Sequence, residues 1–169
     1  KHGLIKDADM LSFIEDNKAK ALELDLDIIF RLVADSVRIK SDVVQQDEKE
    51  GGERRKLNFG HTIGHAIEKI EQAGHGRAVS MGMAAAAMFS KEKGFLSETD
   101  VTRITSLLTD LNLPVELNYP ASDIVRAAGK DKKKQGSDLF YVFLEQIGQA
   151  RVEKISYDQM NGFIESIFD

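Results

Sequence analysis

Apolar residues recur along this chain mostly at helical spacing, with one alternating stretch near its end. Met10, Leu11, Phe13 and Ile14 repeat with the period of a helix face to about residue 17. A longer helix, of roughly 20 residues, is expected after Asp25. Ile28, Ile29, Leu32, Val33, Val37, Ile39, Val43 and Val44 form its broad apolar stripe. Apolar residues then vanish over 45–56, where glycine and mixed charge accumulate, so a loop is expected there. Leu57-Asn58-Phe59-Gly60 leads into another helix, with Asn58 as its cap and Ile63, Ile67 and Ile70 on its apolar side.

Gly74-His75-Gly76 interrupts the pattern before a further helix over 77–92. Gly82 and the alanines at 84–87 have almost no side-chain bulk, which predicts close packing of the 58–72 and 77–92 segments and brings His75 near His61. Gly94 ends that helix, and Ser97 with Asp100 forms a capping box for the next. Its face carries Val101, Ile104, Leu107, Leu108 and Leu111 until Pro114 stops it. Ser122 is expected to cap a short helix over 123–128. The run 140–144 reads as a strand, with a turn at Gly148 and a return strand near 151–155. Ser156 or Asp158 then opens a closing helix bearing Met160, Phe163, Ile164 and Ile167. The fold class expected is therefore mainly α-helical, with a small β-hairpin near the end, and 169 residues are enough for one domain with its own core.

Composition narrows the function. A formal net charge of −5 argues against a nucleic-acid partner, which calls for a basic face. The weakly polar run 78–89 is too short to span a bilayer, and the opening KHGLIKD has no signal-peptide pattern. Cysteine is absent, which removes disulfides and thiolate chemistry and fits a cytoplasmic location.

Groups able to do chemistry concentrate in 47–83, which holds three of the four histidines. His61 and His65 lie one helical turn apart and project from one face, a familiar way to offer two imidazoles to a metal. Thr62 and Ile63 stand between them, so the glutamate of an HExxH signature is missing. His75, flanked by glycines, is a third candidate. A catalytic zinc site wants three protein ligands, so a carboxylate or third imidazole must complete the set. Lys40, Arg54 and Lys132 suit an anionic substrate, arginine by its fork and lysine as a point charge. On spacing alone, ordinary surface charge explains them equally well.

Asp47-Glu48, Glu50, Gly52, Arg54, the stretch Leu57-Asn58-Phe59-Gly60-His61-Thr62, Gly64-His65-Ala66 and Glu68 match, in order and spacing, the central motif of the 3-dehydroquinate synthase family. His75-Gly76, Ala78-Val79, Gly82-Met83 and Asp131-Lys132-Lys133 continue it, and Lys1-His2-Gly3-Leu4-Ile5 resembles the segment at the family's glutamate-x-x-lysine motif and just beyond it. The resemblance spans essentially the whole chain. It implies that 1–169 is the helical, metal- and substrate-binding carboxy-terminal domain of a two-domain enzyme whose amino-terminal α/β domain binds NAD.

By that resemblance, His61 and His75 ligate zinc (or cobalt) together with a glutamate three residues before Lys1. Lys1 lies near the substrate, Lys40 and Arg54 hold its carboxylate or phosphate, and Asn58 binds a hydroxyl. His65 transfers protons or contacts phosphate, and Lys132 lies at the phosphate end, with Lys133 as its neighbour. Many family members carry glutamate where this chain has Arg77, beside the start of a helix where some compensating anion is expected. The reaction implied converts 3-deoxy-D-arabino-heptulosonate 7-phosphate to 3-dehydroquinate and phosphate. The partners implied are this sugar phosphate and the NAD-binding domain, with a second copy of the chain left open. The isolated chain is expected to be catalytically silent and to bind zinc weakly. The competing readings are another sugar-phosphate cyclase, or a helical metal- or anion-binding module without catalysis.

Overall fold

The computed structural model describes residues 1–49, 51–71, 74–129 and 138–168. At its centre is α5 (His75–Glu92), buried on nearly every side from Ala78 to Ala87 and again at Phe89 and Ser90. A helix surrounded by protein needs an apolar surface all round. Here alanine, glycine and methionine supply it with little bulk, so neighbouring elements come close.

α4 (His61–Glu71) lies directly against α5. A Cβ at Gly82 would fall 2.0 Å from the Gly60 carbonyl oxygen and 2.7 Å from the Gly64 nitrogen. Gly64 is also tightly placed, though less so, its notional Cβ 3.1 Å from the Ala78 carbonyl oxygen and from the Val79 Cα. The expected close approach is therefore backbone against backbone. Gly60 itself adopts a φ of +80° in the left-handed region, where a side chain is strained.

The remaining elements enclose this pair. α1 (His2–Ile5) buries Leu4 and Ile5, and α2 (Ala8–Leu22) comes next, opened by Asp7, whose side chain accepts from the Met10 N–H. α6 (Glu98–Asp110) begins with the expected capping box of Ser97 and Asp100 and packs on α5. Its Arg103 forks onto Glu15 of α2 at 2.7 and 2.6 Å. α7 (Ala121–Ala128) packs on α4. Pro120 occupies its N-cap position, so Ser122 lies inside the first turn and does not precede it. β1 (Asp138–Gln146) and β2 (Gln149–Ser156) pair antiparallel, with Val142 opposite Val152 and an irregularity between Leu144 and Gln146. The Leu144 N–H donates to Ser90 Oγ at 3.0 Å, which fastens the hairpin to α5. α8 (Tyr157–Ile167) closes the chain from a Ser156–Gln159 capping box, and its Phe163 stacks on Phe89 with ring centroids 5.0 Å apart.

α3 (Leu26–Gln46) departs from expectation in its packing, though not in its length. Of the stripe assigned to it, only Ile39 and Val43 are buried. Val33 and Val37 are 58% and 62% exposed, and on the same side Leu26 and Phe30 reach 83% and 76%. At about 1.5 Å per residue the helix is roughly 31 Å long. Its carboxy-terminal part buries Ile39 and Val43, while its amino-terminal half meets α2 through Arg31, whose guanidinium carbon lies 3.8 Å from the Phe13 ring centroid. Amphipathic spacing identifies an apolar face without identifying what covers it.

Candidate functional site

The loop after α3 is organised by Asp47, whose carboxylate accepts from the backbone N–H groups of Gly51, Gly52 and Arg54 at 2.8, 2.7 and 3.1 Å. These bonds, that from Gly52 foremost, hold the Asp47 carboxyl below its ordinary pKa. The loop leads into a 3₁₀ turn (Glu53–Asn58), absent from the expected elements. Asn58 is exposed and is the last residue of this turn, while Gly60 directly precedes α4, so Asn58 does not hold the N-cap position expected of it. Arg55 lies with its guanidinium carbon 3.5 Å from the centroid of Phe140, joining the turn to the hairpin.

Because α4 and α5 touch through backbone, the histidines on their first two turns converge. His61 and His65 ring centroids are 5.3 Å apart, His61 and His75 5.5 Å, and His65 and His75 5.6 Å. His61 is half-buried and the other two are exposed. Two imidazoles on one tetrahedral zinc, with Zn–N of about 2.0–2.1 Å, have centroids roughly 5.2 Å apart. All three pairs approach that separation, so the donor set fits a metal, and ring spacing does not single out His61 with His75.

Each Nδ1 has a partner. His61 Nδ1 is 3.2 Å from the Phe59 carbonyl oxygen, while His65 Nδ1 and His75 Nδ1 lie 3.2 and 3.3 Å from the same Glu68 Oε2. His65, Glu68 and His75 offer ligand atoms that all lie within 4.8 Å of one another. The two imidazoles hold the Glu68 carboxyl below its ordinary pKa through these bonds. Burial lowers the His61 pKa, reinforced by the Lys1 ammonium and opposed by the Phe59 carbonyl. A neutral imidazole is what a metal requires.

The cations are distributed around this cluster. Lys1 Nζ donates to the Leu57 carbonyl at 2.8 Å, and burial, then the Lys40 charge, lowers its pKa. Lys40 is exposed on α3. Arg54 donates from Nη1 to the Glu48 carbonyl at 3.1 Å, so its bonds run to the loop and not to the histidines. Lys132 and Lys133 lie outside the described residues. Arg77 is exposed and forms no ion pair among the described residues, so the anion expected beside it is not found. Glu68, an acidic residue upstream of it, is engaged by the histidines instead. Glu68 belongs to the matched motif, yet the resemblance assigns it no role. Its i,i+3 spacing from His65 is a usable signal, whereas its reach to His75 depends on the packing of α5.

Residues 1–134 match the 3-dehydroquinate synthase C-terminal family. The chain belongs to the 3-dehydroquinate synthase family, in its C-terminal part. Among curated relatives, 3-dehydroquinate synthase from Geotalea uraniireducens (strain Rf4) is 40% identical over 160 residues, covering 92% of this chain and 44% of the relative. The same enzyme from Acinetobacter baumannii (strain AYE) is 39% identical over 158 residues, covering 91% and 44%. The chain thus spans less than half the length of these 3-dehydroquinate synthases. Its fold is shared with 2-epi-5-epi-valiolone synthase from Streptomyces hygroscopicus subsp. jinggangensis 5008, at TM-score 0.80 and 21% identity over 98% of this chain and 48% of that one. A 2-deoxy-scyllo-inosose synthase matches at TM-score 0.66 and 23% identity, over 80% of this chain and 40% of that one. The mainly helical fold is the one shared with these two synthases over the parts covered.

Proposed function

We propose that this chain is the metal- and substrate-binding half of a cytoplasmic 3-dehydroquinate synthase, which converts 3-deoxy-D-arabino-heptulosonate 7-phosphate to 3-dehydroquinate and phosphate. The observation that carries this reading is the mutual approach of His61, His65 and His75 to within 5.6 Å, ring to ring, beside Lys1. The two cyclases of like fold were crystallised with NAD+ and with Zn2+ or Co2+, which supports the same cofactors here. Among the described residues the sheet is a two-stranded hairpin, so NAD is assigned to a nucleotide-binding domain elsewhere in the polypeptide.

His61 and His75 are the proposed metal ligands, completed by a carboxylate. When bound, the metal polarises the hydroxyl to be oxidised and NAD takes up and returns the hydride. His65 is assigned proton transfer or contact with the phosphate. Lys1, Lys40, Arg54 and Lys132 neutralise and orient the anionic ends of the substrate, and Asn58 binds a hydroxyl. Lys1 is suited to this because burial already disfavours its charge, and an anion would relieve that.

The test is phosphate release by the longer protein containing this chain, supplied with zinc, NAD and the heptulosonate phosphate, with the product identified. Turnover is expected there and not with residues 1–169 alone. Comparable turnover by the isolated chain would refute the need for a separate NAD domain. Arg77, with the cyclases of like fold, favours one rival reading, a sister sugar-phosphate cyclase. Cyclisation of a different sugar phosphate in the same assay would select it.

A further inference from the structure

A carboxylate that bonds two histidines of one cluster constrains both. Glu68 Oε2 lies 3.2 Å from His65 Nδ1 and 3.3 Å from His75 Nδ1, and those residues stand on different helices. A glutamate is ionised near neutrality and can then only accept, so the proton in each contact belongs to the ring. The Phe59 carbonyl, also an obligatory acceptor, places the His61 proton on Nδ1 in the same way. In the uncharged form each of the three rings is thereby held with Nδ1 protonated and the lone pair on Nε2.

We propose that Glu68 is a positioning residue that sets the tautomer and ring orientation of His65 and His75 together, tying the proposed metal ligand on α5 to the proposed proton-transfer group on α4. The inference deepens the proposed synthase function and rests on it for the roles of the two histidines. The tautomers themselves do not depend on that function. A carboxylate behind a ligating imidazole raises the basicity of the other nitrogen and fixes its aim. Sharing one oxygen between two imidazoles adds a consequence: displacement of either ring alters the bond to the other.

Long-range proton–nitrogen NMR correlation of the metal-free chain at pH 8 reads the tautomers directly. All three rings are expected as Nδ1–H in the parent. In Glu68→Ala, His65 and His75 should gain Nε2–H character while His61, bonded to a backbone carbonyl, stays as it was. The invariant His61 signal also reports that the fold is intact. Nε2–H at His65 or His75 in the parent, or unchanged tautomers in the variant, would overturn the proposal.

Zinc titration against a chelating dye then separates positioning from direct ligation. Loss of a carboxylate behind a ligating histidine is expected to weaken binding by about 10–100-fold in Glu68→Ala. Glu68→Gln, which keeps an acceptor oxygen at the same reach, should recover part of it. Equal losses in both variants would make Glu68 a ligand and overturn the positioning role, and so would unaltered affinity in Glu68→Ala. The titration uses the longer protein, since the isolated chain is expected to bind zinc weakly. No measurable affinity there would count against the proposed synthase function, and the tautomer experiment would still decide the role of Glu68.

Discussion

Replacing Gly82 by alanine tests the contact on which the histidine cluster depends. The added methyl carbon would lie 2.0 Å from the Gly60 carbonyl oxygen, about 1.4 Å inside the 3.4 Å at which ordinary contact begins. The three nearest atoms, Gly60 O, Gly64 N and Gly60 C, are all backbone, so no side chain can rotate away and α4 must move relative to α5. Overpacking of this kind costs about 1–3 kcal/mol, and the absence of a yielding neighbour puts this site at the upper end. Alanine's better helix propensity offsets about 1 kcal/mol. The expected net loss is about 1–2 kcal/mol in urea unfolding. A displacement of about 1 Å between the helices should also weaken zinc binding. Gly162→Ala in α8 is the control, since no heavy atom lies within 4 Å of its notional Cβ. It should gain about 0.5–1 kcal/mol. A Gly82→Ala chain as stable as the parent, with unchanged zinc affinity, would refute the claim that backbone contact sets the site.

Other consequences are open to simpler measurements. Ser80 Oγ is wholly buried and has no hydrogen-bond partner among the described residues, so Ser80→Ala should be neutral or stabilising by up to about 1 kcal/mol in chemical denaturation. Arg77, in the first turn of α5, faces the positive end of the helix dipole, so Arg77→Glu should raise stability by about 0.3–1 kcal/mol at low salt, and a loss would show an unrecognised partner. The folded-state pKa of Asp47 lies below its ordinary value of 3.8, so its contribution is complete above that value and is lost as pH falls through the lower, folded one. Protection of the Gly51 and Gly52 amides against exchange, taken relative to the intrinsic rate at each pH, should therefore fall on acidification below pH 3.8, and Asp47→Asn should blunt that dependence. Phe30→Asp, at a position 76% exposed, should change unfolding stability by no more than about 0.5 kcal/mol.

Legibility from sequence tracks the range of the interaction. The capping box at Ser97 is readable because it is satisfied within a few residues, and the turn at Gly148 because glycine tolerates its left-handed φ of +87°. The intimacy of α4 and α5 is readable at Gly82, where missing bulk has no other use in a helix. The α3 stripe misleads because periodicity reports which residues share a face and is silent on whether anything packs there. In the site, the His61–His65 pair lies one turn apart in sequence. Lys1 beside His61 is a contact across some sixty positions that only the motif resemblance anticipates. The Glu68 bridge combines one local step to His65 with a tertiary step to His75, and only the first is visible in the sequence.

His75 is the first residue of α5, and it is exposed, although a few residues later the same helix is sealed from solvent. Amides from Ala78 onward can exchange with water only when the body of the protein opens, whereas the first turn can fray on its own. The histidine cluster therefore straddles a boundary in protection: two of its rings ride on α4, against the core, and the third on a helix end free to lift away. A ligand that engages His75 together with either partner would suppress that fraying, so occupancy should register as slower exchange over one helical turn while the exchange of the core stays unchanged.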